Sequence, residues 1–140
     1  MYLVDTNVVS ELMRPRPDAR VIAWFDAQST DELWMCVTTA GELRLGAALL
    51  PDGKRKAALV DRIEHVLTDD FMGRCLPFSC ATSEHYARIV AMRLRAGRPI
   101  SAEDAQIAAV AHERALVVVT RNRADFDGLG LTLFNPWIDW

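Results

Sequence analysis

Short apolar runs alternate along the chain with stretches of helical periodicity. Tyr2-Leu3-Val4 is a brief apolar run that ends at Asp5, after which Thr6-Asn7 offers capping side chains to a helical pattern through Leu12 and Met13. Pro15 and Pro17 break that pattern, and Val21, Trp24 and Phe25 then recur at the spacing of one helix face. Leu33-Trp34-Met35-Cys36-Val37 is apolar over the length of a strand and leads through Thr38-Thr39-Ala40-Gly41-Glu42 into a helix with Leu43, Ala47 and Leu50 on one side. Pro51-Asp52-Gly53 reads as a turn, and Leu59, Ile63, Val66 and Leu67 mark a further helix. Its opening turn carries Lys54, Arg55 and Lys56, cations that the helix dipole does not favour there.

In the second half, Cys75-Leu76-Pro77-Phe78 has the form of a short edge strand, where proline is tolerated. A helix from about Ala81 to Ala96 is predicted next, with Tyr86, Ile89, Val90 and Leu94 on its apolar side and Gly97 at its end. Pro99-Ile100-Ser101 introduces an Ala-rich helix through Ile107 and Val110, and Leu116 to Val119 is β-branched and apolar on both faces, as an interior parallel strand must be. Leu131 to Phe134 can form a last strand before Asn135-Pro136-Trp137. Strands alternating with helices predict an α/β fold with a mainly parallel sheet of four to five strands, covered on both faces. At 140 residues, 51% of them hydrophobic, the chain is expected to make a single domain over residues 1–140.

The formal net charge of −3 gives no global attraction to nucleic acid, so local patches must carry any such interaction. Basic residues are skewed toward arginine, with only Lys54 and Lys56 as lysines. Cys36, Cys75 and Cys80 are an odd number without a CxxC pair, which predicts buried thiols in a reducing compartment rather than disulfides or zinc. Asp5 interrupts the start before a long apolar run develops, so neither a signal peptide nor a membrane span is expected, and the cytoplasm is the expected location.

Four acids, Asp5, Glu42, Asp104 and Asp125, fall just after an apolar run or in the opening of a helix. In an open α/β sheet such positions converge at the carboxyl edge of the strands, where ligands bind. Carboxylates gathered there repel one another unless a divalent cation lies between them, so the constellation predicts a Mg²⁺ or Mn²⁺ site. Each acid also has a purely local explanation. Thr39 to Glu42 and Ser101 to Asp104 have the spacing of capping boxes, and Asp5 and Asp125 can serve as turn residues.

Leu3-Val4-Asp5-Thr6-Asn7, Thr38-Thr39-Ala40-Gly41-Glu42-Leu43, Ala102-Glu103-Asp104-Ala105-Gln106-Ile107-Ala108 and Val119-Thr120-Arg121-Asn122 through Asp125-Phe126 together resemble the four signature segments of PIN-domain ribonucleases. Their order, the length and the closing Asn135-Pro136-Trp137 look like VapC toxins of the FitB-like branch, and the resemblance runs from Met1 to Trp137. It implies a three-layer α/β/α PIN-like fold, Mg²⁺- or Mn²⁺-dependent endonucleolytic cleavage of RNA, inhibition of translation, a small cognate antitoxin and a homodimer. By the same resemblance Asp5 and Asp104 match the principal metal ligands and Glu42 the third acid. Where many relatives carry Asp after Thr-Arg this chain has Asn122, leaving Asp125 or the Asn122 amide to complete the site. Thr6, Asn7 and Thr120 are candidate supporting residues.

RNA approaching an acidic edge needs cations nearby, and Arg93, Arg95, Arg98, Arg121 and Arg123 are the candidate phosphate contacts. Two other enzyme or signalling classes place acids at strand ends. A haloacid-dehalogenase-like phosphotransferase requires a second Asp two residues after the first, where this chain has Asn7, and a receiver domain requires a late Lys that is missing. A non-catalytic PIN-fold module that binds nucleic acid or an antitoxin is the remaining alternative.

Overall fold

The computed structural model describes residues 1–140. Five short strands, β1 (Tyr2–Val4), β2 (Leu33–Cys36), β3 (Cys75–Leu76), β4 (Val117–Val119) and β5 (Leu133–Phe134), form one sheet in the order β3-β2-β1-β4-β5. Every pairing is parallel, with Tyr2 opposite both Leu33 and Val117. The helices are α1 (Thr6–Leu12), α2 (Ala19–Ala27), α3 (Val37–Ala48), α4 (Lys54–His65), α5 (Cys80–Arg95), α6 (Ala102–Arg114) and the single turn α7 (Arg123–Phe126). A wide helical turn over Val66–Asp70 prolongs α4.

Successive strand residues point to opposite faces, so each strand feeds two cores. Leu3, Cys36 and Val118 pack with Ile89 of α5, with Phe126 and with the Ala-rich side of α6, where Ala105 and Ile107 through Ala111 are all buried. Val4, Met35 and Val119 pack on the other face against Val8, Val21, Trp24, Leu43 and Ile63 from α1 to α4. The result is the three-layer α/β/α arrangement expected from the alternation.

Winding direction then positions the edge. From β1 the chain steps to β2 and β3 through helices on one face, and it returns past β1 to β4 through α5 and α6 on the other. The reversal falls between β1 and β4, and a crevice opens beyond the carboxyl ends of strands where order reverses.

Several local expectations change. Asp5 caps α1 through a bond from the Thr6 amide, because it is the single residue between strand and helix and Thr6 is already helical. β2 stops at Cys36 and Val37 opens α3. On α5 the inward stripe is Tyr86, Ile89, Val90 and Arg93, whereas Leu94 is 62% exposed. Gly97, at φ +69, makes the left-handed turn that ends this helix, which an L side chain would resist. Cys36 is buried but Cys80 is exposed, so the expectation of buried thiols fails at the start of α5. The apolar C-terminus docks only in part: Trp137 is buried and Phe134 stacks on Trp24 at 5.4 Å, while Ile138 and Trp140 face outward.

Candidate functional site

Asp5 stands at the end of the central strand, and its backbone still belongs to the sheet, its amide donating to Val119 O at 3.0 Å. Both carboxylate oxygens are held. Oδ1 accepts from the Thr6 amide at 2.7 Å, and Oδ2 accepts at 2.7 Å from both the Asn7 side-chain amide and the Thr120 hydroxyl. The Thr120 oxygen in turn accepts from Asn7 Nδ2 at 3.1 Å and from the Asn122 amide at 3.0 Å, and Asn7 Oδ1 accepts from the Arg121 amide at 3.1 Å. This closed network bridges the two strand ends at the switch point. It also commits Asn7 on both sides, leaving no general acid where a phosphotransferase of the dehalogenase type would need one.

Only 4% of Asp5 is exposed. Burial pushes its carboxyl up to about 6, against the bonds from Thr120 and Thr6, and the charges of Asp104 and Glu42 push it further in the same direction.

Glu42 reaches this network from α3. Since that helix starts at Val37 after a Cys36 that supplies no side-chain cap, Glu42 lies in its second turn and the expected capping box is not made. Its Oε1 accepts from the Thr6 hydroxyl at 2.8 Å, and that hydroxyl lies 3.2 Å from the buried Thr39 hydroxyl. Thr6 therefore links two acids rather than capping a helix. Burial raises the Glu42 carboxyl, Thr6 opposes the rise, and the charges of Asp104 and Glu103 add to it.

Asp104 sits in the first turn of α6, where its amide donates to the Ser101 hydroxyl at 3.1 Å. The reciprocal half of a capping box, from the carboxylate back to the Ser101 amide, is missing, which leaves the acid half-buried and turned to other work. Its carboxyl is also raised, by burial first and then by the charges of Asp125 and Glu103, with the Ser101 hydroxyl and Arg93 opposing.

The charge of Asp104 thus reaches both Asp5 and Glu42, and none of the three acids is in a salt bridge. They do not close into a ready three-ligand metal cluster. Oδ2 of Asp5 is taken by two donors, whereas Oδ1 accepts only the Thr6 amide and keeps a lone pair for a ligand. Glu103 adds negative charge beside Glu42 and Asp104, and its only sequence signal is that it adjoins Asp104; Thr39 has none beyond its place before Glu42.

At the β4 end, Asn122 and Asp125 are both exposed, on and just inside the start of α7. The Asn122 side chain makes no hydrogen bond, whereas Asp125 lies near enough to raise Asp104. The five arginines separate sharply. Arg93 is not a surface cation: it is 6% exposed, and its guanidinium donates to the backbone carbonyls of Arg98, Ala124 and Asp125. Arg123 is engaged by Asp139, and Arg121 lies over the Trp137 ring at 5.1 Å. Arg95 and Arg98 are exposed, Arg98 with only a 3.9 Å contact to Asp127.

Residues 2–130 match the family model described as PIN domain. The chain is 42% identical over 139 residues to Toxin FitB of Neisseria gonorrhoeae, spanning 99% of this chain and 100% of that protein. It is 39% identical over 137 residues to VapC ribonuclease Y4jK of Sinorhizobium fredii, spanning 98% of each. A crystal structure of FitAcB from Neisseria gonorrhoeae superposes with a TM-score of 0.91 at 41% identity and covers 99% of both chains. At 40% identity and a TM-score of 0.90, a structure of FitAB bound to an IR36 DNA fragment covers 98% of this chain and 96% of its own.

Proposed function

The chain belongs to the PIN-domain family, and from that premise we propose that it is the toxin of a type II toxin–antitoxin pair, a Mg²⁺- or Mn²⁺-dependent endoribonuclease that inhibits translation. The observation that carries this reading is Asp5: a carboxylate buried at the switch point, unpaired with any cation, and within electrostatic reach of Glu42 and Asp104.

The donor chemistry fits a hard divalent cation. Carboxylate oxygens suit Mg²⁺ and Mn²⁺, and every raised acid here would return toward its ordinary range beside a positive ion. Asp5 and Asp104 would hold the ion, with Glu42 as a further ligand or as the group that orients a water. A bound divalent ion supplies polarisation of the scissile phosphate and a more acidic water.

The protein's own contribution is position and polarity. Thr6, Asn7 and Thr120 aim the Asp5 carboxylate and satisfy the lone pairs it does not lend to a ligand. Glu42, held by the Thr6 hydroxyl, would act as a ligand or orient a water. Asp125 rather than Asn122 completes the acidic set in this reading, because its charge already acts on Asp104. The exposed Arg95, Arg98 and Arg121 are the phosphate contacts, while Arg93 and Arg123 are withdrawn from that role by their protein partners.

As partners we propose an RNA substrate, a small cognate antitoxin and a second copy of the chain, in the cytoplasm. No helix is long and apolar enough to cross a membrane. Purified protein incubated with total tRNA, rRNA and mRNA, with and without Mg²⁺ or Mn²⁺, tests the activity. Metal-dependent cleavage lost in Asp5→Asn and Asp104→Asn is the expected result. Binding of RNA or antitoxin with no turnover under any metal would instead leave a non-catalytic binding module.

A further inference from the structure

Away from the acidic edge, His85 on α5 and His112 in the last turn of α6 turn their rings toward each other, with Nδ1 atoms 3.1 Å apart and ring centroids 5.2 Å apart. They border a cavity of about 320 Å³ lined also by Arg88, Met92, Gly128 and Leu129. We propose that these two imidazoles form a chelating site for a first-row transition metal of the Zn²⁺, Ni²⁺ or Cu²⁺ type, separate from the carboxylate site and independent of the proposed nuclease activity.

The spacing is the first support. With metal–imidazole bonds of about 2.0–2.1 Å, nitrogens 3.1 Å apart subtend roughly 95–100° at the ion, between the octahedral and tetrahedral angles. At this distance one Nδ1 donates to the other when the tautomers differ, and a bound ion would take the place of that shared proton.

Tautomer freedom is the second. Neither Nε2 has a protein hydrogen-bond partner, so both rings can place their proton on that outer nitrogen and present Nδ1 to an ion. The nearby carboxylates are engaged elsewhere, Glu84 with Arg88 at 2.7 Å and Glu113 with the Thr82 hydroxyl at 2.5 Å. The Glu84 pairing also offsets the positive charge of Arg88 beside the site.

Position in the helix is the third, since the carboxyl end of α6 carries partial negative charge that favours a cation near His112. His112 lies eight residues along α6 from Asp104, a separation of about 12 Å on the helix axis. Ligand type separates the two sites further, because imidazole selects Zn²⁺, Ni²⁺ and Cu²⁺ while Mg²⁺ takes oxygen. With two protein ligands and no outer hydrogen bonds to fix the rings, the remaining positions fall to water. An ion bound here would brace α5 against α6.

The test uses tag-free protein in excess Mg²⁺, titrated with Ni²⁺ and with Zn²⁺ by calorimetry, with thermal unfolding in parallel. One ion per chain and a raised unfolding midpoint are expected. Binding should weaken at least fivefold in both His85→Ala and His112→Ala, and equally in the glutamine variants, which keep the side chains polar if alanine disturbs packing. His65→Ala, which removes the imidazole paired with Asp69 at 2.6 Å, should leave Ni²⁺ affinity within twofold. Absence of Ni²⁺ and Zn²⁺ binding would overturn the proposal. So would a loss smaller than fivefold in either histidine variant, or a larger loss in His65→Ala.

Discussion

Two turns leave neighbouring strands at the same edge, and they are built in opposite ways. After β1, Asp5 is buried and both oxygens of its carboxylate are bonded, by Thr6 and Asn7 of the turn itself and by Thr120 across from β4. After β4, only Thr120 is buried, and Arg121 to Asp125 lie exposed. That second turn is held from behind, by the Arg93 guanidinium on the carbonyls of Ala124 and Asp125. The first turn fixes a side chain; the second fixes only a backbone and leaves its acid free to move. A carboxylate locked in place costs stability when ionised without a counter-ion, and a free one costs little, so the two turns should respond differently to mutation.

The largest effect is expected at Asp5. Asp5→Asn should lower metal-dependent RNA cleavage by about a thousandfold or more, roughly 4 kcal/mol of transition-state stabilisation. Stability should move the other way. With its folded value raised from 3.8 to about 6, Asp5 binds its proton more tightly when folded, so the metal-free protein is favoured below pH 4 and loses that contribution as pH rises through 6. Asn does not titrate, and above pH 6 the variant should gain up to roughly 3 kcal/mol relative to its standing at pH 4. Denaturant unfolding from pH 4 to 8 without metal measures this, and a parallel pH dependence in both proteins would defeat it.

Arg93 tests the support of the second turn. Arg93→Met keeps the apolar stem but strips the donors from three backbone carbonyls, and should cost about 2–4 kcal/mol of stability. Amide exchange should rise selectively over Arg123 to Phe126. An unchanged exchange rate there would mean that the turn holds itself.

Thr120 joins the two turns, and its loss should sharpen the contrast. Thr120→Val removes a bond that lowers the Asp5 carboxyl, so Asp5 should titrate above 6 and the acid limb of the pH–rate profile should shift to higher pH. The stability cost is expected at about 1–2 kcal/mol. A profile that stays in place would detach Thr120 from the acid.

The smallest effect belongs to the exposed acid. Asp125→Asn should reduce turnover about tenfold, near 1.4 kcal/mol, and weaken apparent Mn²⁺ affinity, while Asn122→Ala changes either by less than about threefold. Metal titrations with cleavage rates at saturating Mn²⁺ distinguish them, and the reverse order would transfer the fourth position to Asn122.

Element order, the parallel sheet and the placement of Asp5, Glu42 and Asp104 near its carboxyl edge were legible in the sequence, because periodicity records which face of each segment is buried and parallel crossovers return every strand in one direction. Roles that depend on segments distant in the chain were not. Asp5 rather than Thr6 caps α1, and Glu42 escapes its apparent capping box, since at most one residue separates β1 from α1 and β2 from α3. Arg93 falls on the buried stripe of Tyr86, Ile89 and Val90, a position whose helical spacing was visible while its partners, Arg98, Ala124 and Asp125, were not. A side chain's pattern tells which way it points, and only the folded chain decides what waits there to accept its hydrogen bonds.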